Sequence, residues 1–413
     1  MSYLRFVVAN WHLLGFAFLL SFGSSFGQTF YISLSSAQIR EAFDLTHGGF
    51  GLAFTVATLA SGVVLVWAGR LIDRLDLRLF SALVVGGLVA GMAAMSVVGS
   101  VVALTIVLFV LRICGQGLMI HTASTTLARY LDRDRGKALS VGMLGQPAGE
   151  AVLPLFAVGF IAAIGWRDAW LLAAAATAAV AFVLLPLLLR GQGARHAEYL
   201  VRTVDDGAVA DGTPAARRHW TRGEVLRDPR FFMMVPMVLA FPFIGTGFFF
   251  HQVYIAETRG WPIALLASAF VGFAIARVVA SLVFGPAIDR YGAARLVTLP
   301  LAPLVVTLVT VIVSDHWIVP VVYLAALGVS VGMLIPLLGA VWAELYGTRH
   351  IGAIKAQSTS IVVLGSATSP AVFGFLIDHG VSIARISVLC LVYVVAAGAL
   401  AVVAFRVGTR PEA

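Results

Sequence analysis

The chain has 413 residues, of which 60% are hydrophobic and only 12% are charged, and its mean hydropathy is +0.97. Soluble domains carry roughly 25% charged residues, so this composition excludes an ordinary soluble protein and indicates a protein of the lipid bilayer. The formal net charge of +8 does not indicate nucleic-acid binding, because no basic cluster is interleaved with aromatic residues.

Twelve apolar segments of about 20 residues or more follow one another along the chain. Their apolar runs are continuous, which favours transmembrane helices over the alternating strands of a barrel. Most Arg and Lys residues fall in the two tails and in alternate loops, so the positive-inside rule places both termini in the cytoplasm. We therefore expect a multi-pass protein of the cell inner membrane with spans near 11–35, 47–68, 78–98, 101–129, 137–163, 168–190, 230–255, 262–287, 293–314, 317–345, 351–376 and 383–406.

The sequence repeats itself at an offset of 216 residues. The string Gly-x-x-Ile-Asp-Arg follows predicted helix 2 at 69–74 and predicted helix 8 at 285–290, and Tyr130 maps onto Tyr346 at the same offset. With six spans in each copy, both halves enter the membrane in the same orientation. Parallel repeats of this kind are typical of transporters that bind their substrate between two similar bundles.

A long polar stretch at 191–229 separates the two copies. It is rich in Arg, acidic residues and Gly, which predicts a flexible cytoplasmic linker. The expected fold is therefore an all-α membrane protein of twelve transmembrane helices in two pseudo-symmetric halves. The halves cover 1–190 and 230–413.

These motifs resemble those of the major facilitator superfamily. The repeated Gly-x-x-Ile-Asp-Arg string is similar to the loop signature that follows helices 2 and 8 in that family. The segments 112–117 in helix 4 and 145–150 in helix 5 are similar to its Arg-Gly and Gly/Pro signatures. The resemblance covers the whole chain and implies transport by alternating access. Within the superfamily, three segments look most like the monocarboxylate and oxalate/formate branch: 21–27, 135–140 and 165–167.

The two loop motifs predict a conformational switch. An Asp at a helix end, beside an Arg and opposite another helix terminus, can hold the two halves together on the cytoplasmic side and release them as they rock. The residues with this predicted role are Gly69, Asp73, Arg74, Gly285, Asp289 and Arg290.

Arg277 in helix 8 is the main candidate for substrate binding. It lies twelve residues before Asp289, so at 1.5 Å per residue it is roughly 18 Å deep, close to the middle of a ~30 Å hydrocarbon core. A guanidinium at that depth costs on the order of 3 kcal/mol or more unless it faces a cavity or a partner. Helix 8 offers no carboxylate, so we expect Arg277 to pair with an anionic substrate. The alternative is that backbone carbonyls, or a carboxylate on another helix, hold it in place.

Arg112, Glu150 and His121 are candidates for proton coupling. Arg112 in helix 4 and Glu150 in helix 5 lie at similar mid-membrane depths, so they are expected to form a buried pair. Such a pair is either a permanent structural contact or a working one, in which Glu150 takes up a proton. His121 in helix 4 is a further proton carrier by residue type, although a lone membrane histidine more often serves packing.

Neutral and weakly basic side chains occupy matching positions on helices 1 and 7. Gln28 and Tyr31 in helix 1 correspond to His251, Gln252 and Tyr254 in helix 7. If these helices face the cavity, the five side chains would orient a small polar substrate. Otherwise they form ordinary interhelical hydrogen bonds.

The expected function is secondary active transport of a small organic monocarboxylate, coupled to a proton. A proton-driven efflux antiporter for drugs or metabolites is the nearest alternative, because the Gly/Pro stretch of helix 5 resembles that of antiporters. A membrane sensor that kept the fold but lost transport is a more distant one. An enzyme is not expected, since the sequence shows no metal-spaced His/Cys cluster, phosphate loop or nucleophile motif. We expect no cofactor or metal, and a monomer in contact with membrane lipid.

Overall fold

The computed structural model describes residues 3–206, 220–347 and 350–407, and every regular element in these ranges is a helix. Eleven of the described helices are long and apolar enough to cross a membrane, and the bent pair Tyr3–Ala9 and Trp11–Gly27 supplies a twelfth. The membrane helices are α1 (Trp11–Gly27), α2 (His47–Asp73), α3 (Leu77–Val97), α4 (Val101–Tyr130), α5 (Arg135–Ile164), α6 (Trp166–Leu188), α7 (Pro229–Phe250), α8 (Ile263–Tyr291), α9 (Ala293–Val313), α10 (Val319–Tyr346), α11 (Ile351–Asp378) and α12 (Ile383–Val407). Shorter helices are Thr29–Ile32, Ser36–Ala42, Gln192–Asp206, Arg222–Val225 and Gln252–Arg259.

The predicted number and order of helices are confirmed. The largest difference lies at helix 1, which was expected to run to residue 35 but ends at Gly27, because Gln28 adopts an extended backbone with a ψ of 152°. Short helices then carry the chain to residue 42. The expected linker also contains two helices, Gln192–Asp206 and Arg222–Val225, and its remaining part at 207–219 lies outside the described residues.

Local capping signals set the helix bounds. The side chains of Asp76 and Ser100 accept hydrogen bonds from the second or third backbone N–H of α3 and α4, at 2.7 Å and 3.2 Å. Asp228 does the same for α7 at 2.9 Å, and a proline follows it at the first helical position. These side chains satisfy amide groups that a helix start leaves without an intrahelical partner. Gly292, with a φ of 85°, separates α8 from α9.

The chain divides into two compact units. The first comprises Met1–Ile32, Val56–Gly149 and Gly159–Ala215, and within it α3 packs on α6 and α1 packs on α4 and α5. The second comprises Ser33–Thr55, Glu150–Val158 and Ala216–Ala413, and within it α8 packs on α10, α9 packs on α10 and α12, and α7 packs on α11 and α12. The pairs α3–α6 and α1–α5 correspond to α9–α12 and α7–α11 under the sequence repeat.

The second unit includes two short segments from the first half of the chain, Ser33–Thr55 and Glu150–Val158. Close packing at glycines explains why the first of them, which contains the start of α2, belongs to this unit. A Cβ atom on Gly51 of α2 would lie only 2.4 Å from the carbonyl oxygen of Pro370 in α11. A Cβ atom on Gly374 of α11 would lie 2.4 Å from the carbonyl oxygen of His47. The start of α2 therefore packs backbone to backbone on α11, as small residues allow in membrane proteins. The division into halves at 1–190 and 230–413 stays a prediction.

Candidate functional site

Arg277 of α8 forms an ion pair with Glu150 of α5, and both residues belong to the second unit. The Nη1 atom of Arg277 contacts Oε1 of Glu150, and the two side chains are 13% and 6% exposed. A Cβ atom on Gly332 of α10 would lie 2.3 Å from the carbonyl oxygen of Arg277, so α10 fixes the backbone of α8 at this level. The contact places opposite charges together at a depth where either charge alone would be costly.

This ion pair bears on two expectations about the site. The ion pair described here joins Glu150 to Arg277. The expected pairing of Glu150 with Arg112 stays a prediction. This contact matches the alternative interpretation of Arg277, in which a carboxylate on another helix holds its guanidinium in place. Counting residues from a helix end gives the depth of a side chain but not the rotation of its helix, and rotation selects the partner. The substrate role of Arg277 and the proton-coupling role of Glu150 stay predictions.

Arg112 lies in the first unit, and it is only 1% exposed. It begins a π-helical stretch of α4 at Arg112–Met119. Its Nε donates to Oγ1 of Thr58 at 3.1 Å, and its Nη1 donates to the carbonyl oxygen of Gly27 at 3.0 Å and to Oγ1 of Thr29 at 3.5 Å. Three uncharged oxygens from α1, α2 and the segment after α1 thus hold this guanidinium in place.

Two glycines bring α1 close enough to α4 for that contact. A Cβ atom on Gly115 would lie 2.7 Å from the Cα of Gly27, and one on Gly27 would lie 2.2 Å from the carbonyl oxygen of Leu111. The backbone of α1 therefore touches the backbone of α4 next to Arg112. Larger side chains at these two positions would separate the helices and remove the carbonyl acceptor.

The polar candidates of helix 1 also lie in the first unit. Tyr31 is buried, and its ring packs edge-on against Phe26 and against Trp170 of α6, at centroid distances of 4.9 Å and 5.1 Å. Gln28 is half-buried at the end of α1. The surroundings of Tyr31 are those of an aromatic packing cluster.

The matching candidates of helix 7 lie in the second unit, beside residues 33–48. His251 is buried and its Nε2 lies 3.0 Å from the carbonyl oxygen of Pro370. Gln252 is buried, and its amide donates to Oγ of Ser33 at 2.7 Å. The ring of Tyr254 lies 4.4 Å from that of His47. These contacts join α7 and the helix after it to residues 33–48 and α11, and the substrate role predicted for the three residues stays a prediction.

Several charged residues that the sequence did not single out meet at this end of the second unit. The carboxylate of Asp378, the last residue of α11, accepts hydrogen bonds from the backbone N–H groups of His47 and Gly48 at 3.0 Å and 2.8 Å. It therefore caps the N-terminus of α2, which lies 330 residues away in the chain. Arg40 lies nearby, and burial lowers the pKa of its guanidinium, while Glu257 and Asp378 oppose that shift. An Asp directly after a long apolar run was the only sequence signal for this contact.

A sequence profile of the Major Facilitator Superfamily matches residues 17–271 and 243–413 of the chain. The chain belongs to the major facilitator superfamily. Members of this family are membrane transporters and not enzymes, so the protein is a multi-pass membrane transporter with the family's twelve-helix fold.

A solved structure with the same fold is the bacterial homologue of the human lysosomal transporter Spinster, in an inward-facing and unoccupied conformation. The match covers 96% of this chain and 97% of that chain with a TM-score of 0.68, at 14% sequence identity. At this identity the likeness shows the fold alone.

A curated relative is the protein named "Probable sulfoacetate transporter SauU" from Cupriavidus necator. It is 29% identical over 143 residues, which are 34% of this chain and 33% of that protein. The matched part of the chain thus spans about a third of the length of this relative.

The two loop motifs of the superfamily have different surroundings in this transporter. In the first copy, Asp73 forms an ion pair with Arg129 at the end of α4, and His121 of α4 places its Nε2 3.1 Å from the carbonyl oxygen of Gly69. Arg74 is exposed. The sequence analysis did not identify Arg129 as the partner of Asp73. A basic residue at the cytoplasmic end of predicted helix 4 could have indicated this contact.

In the second copy, Asp289 and Arg290 are exposed, and a Cβ atom on Gly285 would meet no atom within 4 Å. The carboxylate of Glu344 in α10 accepts the backbone N–H of Ala293 at 2.7 Å and so caps α9 directly after this motif. The predicted switching role of the two motifs stays a prediction. Among the described residues, no three His, Cys, Asp or Glu side chains are grouped as metal ligands.

Proposed function

We propose that this transporter moves a small organic anion, of the monocarboxylate class, together with a proton. The observation that carries the proposal is the buried ion pair between Arg277 and Glu150. It joins two helices that lie in different halves of the sequence repeat.

Charge balance gives the mechanism. The pair is neutral as long as Glu150 is ionised and faces Arg277. A proton on Glu150 removes the negative charge of this partner, and a second anion is then favoured beside the guanidinium at the same depth. A carboxylate on the substrate supplies it, ideally through two parallel hydrogen bonds. Proton and anion thus enter the site together, and the site stays neutral during the transport step.

Two observations support a small anion as cargo. The relative SauU is named for sulfoacetate, which is a small organic anion. Within α11, the positions after Lys355 are Gln357, Ser358, Thr359 and Ser360, so this helix has no second deep basic residue to clamp a dianion. The second point favours a cargo that needs one deep positive partner.

The test uses purified protein in proteoliposomes, with uptake of radiolabelled acetate, lactate and sulfoacetate. The wild-type protein should accumulate at least one of them when an inward proton gradient is imposed. Glu150→Gln mimics the protonated carboxyl, so it should still exchange labelled for unlabelled anion but should no longer accumulate it. Arg277→Gln should lose both activities. Arg295→Gln, an exposed residue of α9, is the matched control and should behave like wild type.

Normal accumulation by Arg277→Gln would overturn the substrate role of Arg277. Accumulation by Glu150→Gln equal to wild type would overturn proton coupling at this pair, and the protein would then be a facilitator or exchanger. Uptake of no organic acid, with proton-driven export of an apolar dye instead, would favour an efflux antiporter.

We further propose that the transporter sits in the inner membrane as a monomer with both termini in the cytoplasm. The distribution of Arg and Lys between alternate loops supports this orientation. Fusion of alkaline phosphatase or of a fluorescent protein to the C-terminus tests it, because the first is active only outside the cytoplasm. Phosphatase activity in the fusion would contradict the proposed orientation.

A further inference from the structure

A groove of about 560 Å³ lies within the second unit, between α7, α11 and α12. One wall is a ridge of α11 formed by Leu364, Thr368, Val372 and Leu376, which recur every four residues and so lie on one face of the helix. The opposite wall comes from α12 and includes Leu389 and Tyr393. The ridge positions are outside the candidate site described above.

The floor of the groove comes from α7. Leu239 and Phe243 lie four residues apart and line it. A Cβ atom on Gly365 of α11 would lie only 2.6 Å from Cδ2 of Leu239, so the missing side chain at Gly365 lets Leu239 approach α11. Beside the groove, Oγ of Ser369 donates to the carbonyl oxygen of Phe243 at 2.5 Å, which ties the floor to α11.

The groove offers a hydrocarbon surface to its occupant. Two side chains that line it carry a hydroxyl, and each hydroxyl already has an acceptor in the protein. Oγ1 of Thr368 donates to the carbonyl oxygen of Leu364 at 2.9 Å, and the hydroxyl of Tyr393 donates to that of Pro236 at 2.7 Å. The remaining lining side chains are apolar or the thiol of Cys390. A sugar, a phosphate or a polar metabolite would gain little here, whereas an alkyl chain would bury apolar area.

The dimensions and the exposure of the groove fit one chain of a lipid. The ridge from Leu364 to Leu376 spans twelve residues, or about 18 Å, which is slightly more than half of a ~30 Å hydrocarbon core. Leu364, Val372 and Leu389 are 54%, 42% and 58% exposed, so the groove opens on the surface that faces the bilayer. It ends near Asp378, where α11 stops, and the exposed Arg385 of α12 lies at that same end. A cationic side chain there is placed to meet a lipid phosphate.

We propose that this groove binds one acyl chain of a phospholipid, whose phosphate lies at the level of Arg385. The chain fills the space between α7, α11 and α12 and so braces α7 against α11. This differs from the loose layer of lipid that surrounds any membrane protein, because the groove holds one chain on three helices. The proposal is independent of the cargo and of proton coupling.

Photo-crosslinking tests it. The purified protein is placed in vesicles of phosphatidylglycerol and phosphatidylethanolamine that carry a diazirine on the acyl chain, irradiated and mapped by mass spectrometry. The expected result is labelling of the α11 and α12 walls several-fold above that at Phe182 of α6, which is 83% exposed and reports ordinary lipid contact. Thr368→Trp, which fills the groove, should reduce the labelling of the walls to the level at Phe182. Thr368→Val, which keeps the shape of the side chain, should leave it unchanged.

Equal labelling of the groove walls and of Phe182 in the wild-type protein would overturn the proposal and leave only surrounding lipid. Labelling of the walls that survives Thr368→Trp would overturn it as well. Val372→Trp, one turn further along the ridge, is the second filling variant in case Thr368→Trp does not fold. Arg385→Gln should lower labelling by the anionic phosphatidylglycerol more than labelling by phosphatidylethanolamine, and equal labelling would contradict the role of Arg385.

Discussion

The two units each bury an arginine in a membrane helix, and the contacts described for the two arginines differ in kind. In the first unit, the three hydrogen bonds described for Arg112 end on uncharged oxygens of Thr58, Gly27 and Thr29. In the second unit, Arg277 contacts the carboxylate of Glu150. Arg112 is 1% exposed, whereas the side chain of Arg277 is 13% exposed.

The difference separates a fixed contact from one that can change. Hydroxyl and carbonyl oxygens do not titrate in the physiological range, so these three contacts of Arg112 do not change with pH in that range. A carboxylate can take up a proton and then releases its partner. Arg112 is also enclosed by the close packing of α1 on α4, which leaves little room for a substrate. We therefore propose a structural role for Arg112 and the working role for Arg277, and three predictions test this difference.

The largest effect is expected from breaking the ion pair of the second unit. Arg277→Met or Glu150→Met alone leaves one buried charge without its partner in the pair, which should lower stability by about 3–5 kcal/mol. The double variant removes both charges and should recover most of that loss while remaining inactive in transport. Reversible unfolding in detergent, combined as a double-mutant cycle, measures the coupling. Strictly additive single losses would show that the pair contributes nothing to the fold.

A smaller loss is expected from Arg112→Met. Methionine fills a similar space but removes a charged donor from three oxygens, and hydrogen bonds to charged groups contribute about 1.5–3 kcal/mol. The variant should unfold about 2–3 kcal/mol more readily, and its folded fraction should still show proton-driven uptake. Loss of proton-driven accumulation with retained exchange would indicate that Arg112, and not Glu150, couples transport to the proton. Arg112 would then have a working role and not the structural role proposed here.

The sequence predicted more of the fold than of the site. Continuous apolar runs, the 216-residue offset and capping residues such as Asp76 locate twelve helices to within a few residues for most of the chain. These signals are local or periodic, so one sequence contains them. The break of helix 1 after Gly27 was missed, because residues 28–35 are still apolar enough to continue a span.

The partners of the site residues could not be predicted in the same way. The depths of Arg112, Glu150 and Arg277 follow from residue counts, but the pairing of Glu150 depends on the rotation and tilt of three helices. The cap that Asp378 supplies to α2 joins residues 330 positions apart, and no periodic signal relates them. Contacts of this kind arise from tertiary packing, for which composition and spacing carry no direct information.

The smallest effect is expected from Thr58→Val, which removes one acceptor of Arg112 while its Nη1 atom keeps the contact with the carbonyl oxygen of Gly27. The expected loss of stability is about 1.5 kcal/mol, the lower end of the range for a hydrogen bond to a charged group. Thr105→Val is the matched control, because the exposed hydroxyl of Thr105 donates only to the carbonyl oxygen of Val101 in its own helix, at 2.9 Å. Both variants are compared by reversible unfolding in detergent, and the control should lie within about 0.5 kcal/mol of wild type. If Thr58→Val matched the control, the hydroxyl would not help to hold Arg112, and the guanidinium would be held by its other contacts, which include the carbonyl oxygen of Gly27 and the hydroxyl of Thr29.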